Sequence, residues 1–295
     1  MNGGIGVSEE GIEGKQFEGY WSSRSESNYT HWTRDEVGNQ VQLAFRNHWE
    51  ILCQFMESEL YGGGQRVLEV GSGRGSLSMY FADAGFDCTL LDISAYVLAS
   101  AKSLFAQNRL QAKFVEGDVM ALPFAPGSYD LIFSIGLLEH ITNYQTTVQE
   151  QARVLAPGGL LVAYVVPYYE QNIQHSYRWI NNILKGYHNV LNHVSGEGEK
   201  EAVKRTDVAS PGYIQAFHKV GLTGVEASGA YPLPLISHSP DFPFSLMPPE
   251  SEKAVVRHFR EILDQRRSQH PARHPWLCEE GYGQAFYIWG YKPFA

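Results

Sequence analysis

Cysteine is scarce. Cys53, Cys88 and Cys278 stand far apart in a chain of 295 residues and form no CxxC pair, which excludes a disulfide framework and a zinc knuckle. A reducing compartment is the expectation. Long apolar runs are also missing: the longest, 160–166, is far short of the roughly 18 residues that a membrane span needs. No stretch is rich in Lys or Arg, and 23 bases against 32 acids leave a formal charge of −9. A surface of that sign repels phosphate backbones, so neither nucleic acid nor membrane is an expected partner. The opening residues, Met1 to Gly6, lack the basic and apolar segments of a secretion signal. A soluble cytoplasmic protein is expected. The share of hydrophobic residues, 43% with 13% aromatic, excludes collagen, coiled coil and wholesale disorder.

What is present has an order. Val41, Phe45, Trp49, Leu52 and Met56 recur at three- or four-residue spacing and predict a long amphipathic helix within 35–60, stopped by Gly62-Gly63-Gly64. Before it, Tyr20, Trp21, Arg24, Tyr29 and Trp32 lie in a stretch with many contact groups and no clean period, read as a lid or cap. Short apolar runs then alternate with helical patterns. Strands are predicted at 66–70, 88–91, 113–115, 131–133 and 160–166, and helices after Gly75 and after Ser94. This is the rhythm of a parallel sheet covered by helices. It is interrupted from Tyr168 to His193 by an aromatic, histidine-rich helical stretch. It resumes with a helix opening at Ser210-Pro211 and a strand at 223–227. A proline-rich insertion follows, with a charged helix at 250–267, before a last strand at 285–289. The expected organisation is a lid and helix over 1–64 and a core over 65–295, with cap insertions at about 168–208 and 230–282.

Gly71-Ser72-Gly73-Arg74-Gly75 lies between the strand ending at Val70 and a helix starting near Ser76. A glycine loop there lets a ligand approach the backbone at a helix N-terminus. About twenty residues on, Asp92 ends the second strand, the place from which a carboxylate reaches ribose hydroxyls in doubly wound sheets. The pair implies a cofactor containing adenosine. A dinucleotide fingerprint would need Gly or Ala at the last loop position, where Ser76 stands.

The whole run Val67-Leu68-Glu69-Val70-Gly71-Ser72-Gly73-Arg74-Gly75 resembles the first motif of class I S-adenosylmethionine-dependent methyltransferases. Further matches follow in order: Asp92, then Glu116-Gly117-Asp118-Val119, then Ser128-Tyr129-Asp130-Leu131-Ile132 with Leu137-Leu138-Glu139-His140, then Arg153-Val154-Leu155-Ala156-Pro157-Gly158-Gly159. The resemblance covers 65–166 closely and 210–222 loosely. It implies a doubly wound, mostly parallel seven-stranded sheet with helices on both faces, helical cap insertions, and S-adenosylmethionine as cofactor. It also implies that Gly71, Ser72 and Gly73 cradle the methionine part, that Asp92 and Ile93 hold the ribose side, and that Asp118 and Val119 hold the adenine. Ile135 would lie at the amino end, Glu69 would orient the loop, and Tyr20 and Arg24 would close over the cofactor.

Methyl transfer from a sulfonium is an in-line displacement, so the protein mainly aligns a nucleophile and excludes water. No metal is expected, and a base is needed only where the acceptor starts protonated. Candidates lie after the fourth and fifth strands: His140, Tyr168, Tyr169, Glu170 and His175. The acceptor read from this sequence is a small molecule, with the O, N, S or C atom open. A protein or peptide methyltransferase, or a non-catalytic module that only binds S-adenosylmethionine, are the alternatives. A homodimer is possible on the 250–267 helix.

Overall fold

The computed structural model describes residues 31–56, 65–168, 173–191, 205–230 and 246–294, with backbone alone for 173–177. Eight strands form one sheet: β1 (Arg66–Val70), β2 (Asp87–Asp92), β3 (Lys113–Glu116), β4 (Tyr129–Ile135), β5 (Leu155–Val165), β6 (Thr223–Ala230), β7 (Leu277–Cys278) and β8 (Ala285–Tyr291). Their spatial order is β3-β2-β1-β4-β5-β8-β6-β7. The five strands from β1 to β5 pair in parallel. β8 runs antiparallel between β5 and β6, and β7 pairs antiparallel with the end of β6.

The doubly wound, mostly parallel sheet is the one expected from the sequence, with one more strand. β7 has two residues, too few for any alternation to show in a sequence.

Seven helices accompany the sheet among the described residues: α1 (Gln40–Phe55), α2 (Ser76–Asp83), α3 (Ala95–Gln107), α4 (Tyr144–Val154), α5 (Ile173–Leu191), α6 (Ser210–Lys219) and α7 (Pro249–Gln269). Single 3₁₀ turns stand at Leu138–His140 and Glu280–Tyr282. Because strand side chains alternate between faces, the sheet divides the core in two. Val67, Leu90, Phe133, Val162 and Tyr287 pack against α1, α2, α3 and α7, while Leu68, Leu91, Ile132, Leu161 and Phe286 pack against α4 and α6.

One helix differs from its expected pattern, and one stands where the sequence reading placed none. α1 is shorter than 35–60, starting after the Asn39 cap, whose side chain accepts from the Gln42 amide at 2.7 Å. Its buried side includes Leu43, Asn47, His48, Ile51 and Phe55, while Phe45 and Trp49 are only half-buried. Apolar spacing alone misplaces that face because His48 and Asn47 point inward. α4 carries no readable apolar stripe, since Thr147 and Gln151 are buried alongside Val148.

His48 is the centre of an aromatic cluster linking α1 to the carboxyl half of the sheet. Its Nδ1 lies 2.6 Å from the Tyr287 hydroxyl, and its ring meets Tyr164 and Trp276 edge-on at 4.5 and 4.9 Å between centroids. Burial, with His274 nearby, pulls its pKa down to about 3, so the imidazole is neutral.

Candidate functional site

The glycine loop turns the chain from β1 into α2 with three left-handed residues, Gly71, Gly73 and Gly75. At Gly71 a Cβ would meet Leu137 Cδ1 at 2.6 Å, and at Gly75 it would collide with Leu90. Conformation therefore favours glycine at all three places, and at Gly75 the buried Leu90 and Phe105 leave no space for a side chain either. The loop is tied across the sheet: the Ser72 amide donates to the Leu91 carbonyl at 3.0 Å, and the Gly73 amide donates to the Asp92 carboxylate at 2.9 Å. The other Asp92 oxygen accepts from the Ser94 amide at 3.0 Å, and Ser94 in turn caps α3.

These bonds place a buried carboxylate at the carboxyl edge of β2, facing the loop. Burial raises the Asp92 pKa, and the amides of Ser94, Gly73 and Ile93 only partly offset that rise. A carboxylate has about four lone-pair directions, so acceptor capacity remains for a diol. Ser72 Oγ is buried in the same loop and has no hydrogen-bond partner among the described residues, which fits a polar ligand group. Ile93, beside Asp92, is 48% exposed and offers an apolar face to a planar base. The residues present thus fit an adenosine-containing group with polar tails.

Glu69 is buried below the loop on β1. The Ser78 amide and hydroxyl both donate to its Oε2, at 3.1 and 2.5 Å. Burial pushes its pKa up to about 8 despite those bonds. The bonds join α2 to β1 directly beneath the loop, the place expected of a loop-orienting acid.

The proton linkage has a definite sign. An unfolded glutamate releases its proton near pH 4.3, while the folded one keeps it to about 8, so stability falls as pH rises through that window. Glu69→Gln retains an acceptor for Ser78 and removes the titration. Its stability relative to wild type is expected to climb between pH 5 and 8, by up to about 1.4 kcal/mol per pH unit. Parallel denaturant unfolding at several pH values would show it, and a constant offset would mean that Glu69 is ionised in the fold.

The adenine-side candidates sit on the next edge. The Gly117 amide donates to the Asp92 carbonyl at 3.1 Å, bringing the turn after β3 beside the end of β2. Asp118 is exposed there and accepts from the Met120 amide at 2.8 Å. Val119 is half-buried against the core. Ile135 ends β4 and is half-buried on the opposite face. Gly71, Ser72, Gly73, Asp92, Ile93, Asp118, Val119 and Ile135 thus all belong to the carboxyl ends of β1 to β4 or the turns after them. Tyr20, Arg24, Tyr169 and Glu170 lie outside the described residues, as does the His175 side chain, whose backbone is in α5.

Residues 68–163 match a family described as "Methyltransferase domain". This stretch, about a third of the chain, carries the methyltransferase domain that the sequence motifs imply. It is similar to 2-methyl-6-phytyl-1,4-hydroquinone methyltransferase from Synechocystis sp., 33% identical over 165 residues, 49% of this chain and 52% of that one. It is also similar to demethylmenaquinone methyltransferase from Renibacterium salmoninarum, 39% identical over 99 residues, 34% of this chain and 40% of the relative. The matched stretch spans about half the length, or less, of these curated relatives. Among solved structures, Phospholethanolamine N-methyltransferase 2 from Haemonchus contortus superposes with a TM-score of 0.52 at 16% identity, over 97% of this chain and 58% of that one. That last likeness is one of fold.

Beyond β4 and β5, where the sequence reading places the acceptor, the candidates His140 and Tyr168 stand with a buried acid, Glu139. Gly136, left-handed, donates its amide to the Tyr164 carbonyl at 2.8 Å, and the chain then turns through Leu138–His140. Glu139 is 1% exposed, its Oε2 has no partner among the described residues, and burial pushes its pKa up to about 7. His140 Nε2 stands 4.0 Å from Glu139 Oε1. The Glu139 carbonyl accepts from the Thr206 amide at 2.7 Å, and the Thr206 carbonyl accepts from the Tyr168 amide at 2.8 Å. The turn is thereby fastened near both ends of the 168–208 insertion, with Tyr168 exposed at its start.

His31 is the other addition. Its Nδ1 lies 3.0 Å from Ser76 Oγ at the first turn of α2, and its ring stacks on Phe45 at 5.0 Å. With Trp32 edge-on to Tyr80, the described end of the aromatic N-terminal stretch packs beside the glycine loop. Among the described residues no cluster of His, Cys, Asp or Glu has the arrangement of a metal site, and no helix is long and apolar enough to cross a membrane.

Proposed function

We propose that this chain transfers a methyl group from S-adenosylmethionine to a quinol or phenol ring of a small-molecule acceptor. The observation that carries the cofactor half is the Gly73–Asp92 tie at 2.9 Å with the orphaned Ser72 hydroxyl beside it. The acceptor half is supported by the curated relatives named for hydroquinone and menaquinone methylation. When bound, S-adenosylmethionine supplies a methyl group activated on a sulfonium.

The chain's own residues do the rest. Gly71, Ser72 and Gly73 cradle the methionine part, Asp92 and Ile93 hold the ribose side, Asp118 and Val119 the adenine, and Ile135 the amino end. Glu69 fixes the loop through Ser78. Tyr20 and Arg24 close the cofactor side, and the 168–208 and 230–282 insertions cap the acceptor. A quinol loses a proton when it gains a methyl group, so the electron pair that forms the new bond requires a base. His140 takes that proton, with the buried Glu139 carboxyl 4.0 Å from its Nε2. Tyr169, Glu170 and His175 line the acceptor side.

The test uses S-adenosylmethionine with a trideuteromethyl group and a panel of quinols, with mass detection of the product. Wild type is expected to pass the label to a quinol. His140→Gln is expected to lower kcat roughly 10²- to 10⁴-fold with little change in S-adenosylmethionine affinity. Label found only in peptide, or cofactor binding with no transfer to any acceptor, would instead support a protein methyltransferase or a binding module.

A further inference from the structure

The glycine loop and the first turn of α2 are tied to the sheet at β2 and at β1. Ser72 and Gly73 bond to the Leu91 carbonyl and the Asp92 carboxylate, and Ser78 bonds to Glu69. A further tie comes from outside the sheet. His31 Nδ1 lies 3.0 Å from Ser76 Oγ, across 45 residues of chain. Both residues are buried, each 7% exposed. The imidazole is also held flat against Phe45 of α1, with 5.0 Å between ring centroids and 19° between planes.

Ser76 is the residue that sets this loop apart from a dinucleotide fingerprint, which has Gly or Ala at that place for close packing of helix on strand. Serine is not needed for such packing, and inside a helix it is less favourable than alanine. Burying its hydroxyl adds a further cost unless that hydroxyl is bonded. Here the bond is the one to His31, so a polar side chain at this place is explained by the contact it makes with the segment before α1.

The loop needs such fixing. Gly71, Gly73 and Gly75 are all left-handed, and glycine has more backbone freedom to lose than any other residue. Order that is set before the ligand arrives is not charged against its affinity. The Ser72 hydroxyl, buried and without a hydrogen-bond partner among the described residues, lies in the same stretch. We infer that His31 is a positioning residue for the methionine tail of the cofactor: through Ser76 it fixes the first turn of α2, and with it the loop that receives the tail. This rests on the proposed cofactor site, in which Gly71 to Gly73 cradle that part. Asp92 keeps its own bonds to the Gly73 and Ser94 amides, so the ribose side does not depend on His31.

The experiment compares two probes on the full chain by calorimetry: S-adenosylhomocysteine, and 5′-methylthioadenosine, which carries the same adenosine without the amino-acid tail. Ser76→Ala removes the tie at little risk to the fold, since alanine is the better helix former, and denaturant midpoints report that each variant is folded. Ser76→Ala is expected to bind S-adenosylhomocysteine roughly three- to tenfold more weakly, and His31→Ala roughly tenfold. His31→Asn, which keeps a polar atom where Nδ1 stands, should recover part of that loss. The double variant His31→Ala/Ser76→Ala should be no weaker than His31→Ala alone, because both remove one interaction. 5′-Methylthioadenosine is expected to bind all of them within roughly twofold of wild type. The inference is overturned if the single variants bind S-adenosylhomocysteine as well as wild type, if their losses add, or if both probes weaken alike. A folded wild type that binds no S-adenosylhomocysteine would instead remove the cofactor site itself, and this inference with it.

Discussion

Asp92→Ala is expected to bind S-adenosylmethionine and S-adenosylhomocysteine more weakly by about 1–3 kcal/mol, roughly 5- to 150-fold. The carboxylate plays two parts at once. It accepts the Gly73 amide and so sets the loop against the end of β2, and it leaves acceptor capacity facing the ligand side. Alanine removes both parts and leaves the half-buried Gly73 amide and the buried Ser94 amide without their acceptor. Asp92→Asn keeps one oxygen for an amide, so its loss should fall between wild type and alanine. Titration calorimetry on the three proteins checks the order. Equal affinities in all three would remove Asp92 from the cofactor site.

Gly75→Val is expected to cost more stability than Asp92→Ala, Glu69→Gln or His140→Gln. The residue sits at φ 68°, where a β-branched side chain is strained by about 1–3 kcal/mol. Its Cβ would also enter the space of Leu90 and Phe105, both in the core between the sheet and α3. Overpacking at such a place adds about 1–3 kcal/mol, against a total stability on the order of 5–15 kcal/mol. Denaturant unfolding should therefore show a large drop in midpoint or no cooperative transition. Gly85→Val is the comparison. Gly85 also has a positive φ, but nothing lies within 4 Å of the place its Cβ would take, so it should suffer strain alone and fall by less. Equal losses at the two sites would mean that the loop glycine is needed for conformation and not for space.

Much of this molecule is visible in its sequence because local rules and tertiary packing agree there. β1, β2, β4 and the second half of β5 are buried runs whose residues face helices on both sides, so they read as apolar blocks; the edge strand β3 is only half-buried, and Phe114-Val115 alone mark it. The glycine loop and Asp92 are legible because positive φ and close approach leave few residue choices. Other parts are hidden where polar residues are buried. Nothing near His48 in the sequence marks it as buried, and only the fold brings Tyr287, distant along the chain, to its imidazole. Thr147 and Gln151 mask α4 in the same way. Glu139 stands in a family motif, but nothing in the sequence shows that its side chain is buried with an oxygen left without a partner among the described residues. For α5 the periodicity is legible and the exposure of Trp179, Ile183, Tyr187, Val190 and Leu191 is not. A helical stripe normally predicts a buried face, and here the stripe is turned outward.

That the glycine loop and Asp92 hold an S-adenosyl cofactor is tested most directly by calorimetric titration of the wild-type chain with S-adenosylmethionine, S-adenosylhomocysteine and NAD. Saturable one-to-one binding of both S-adenosyl compounds and none of NAD is the predicted result, since Ser76 occupies the place where a dinucleotide fingerprint needs Gly or Ala. A folded protein that binds neither S-adenosyl compound, or that prefers NAD, would contradict it.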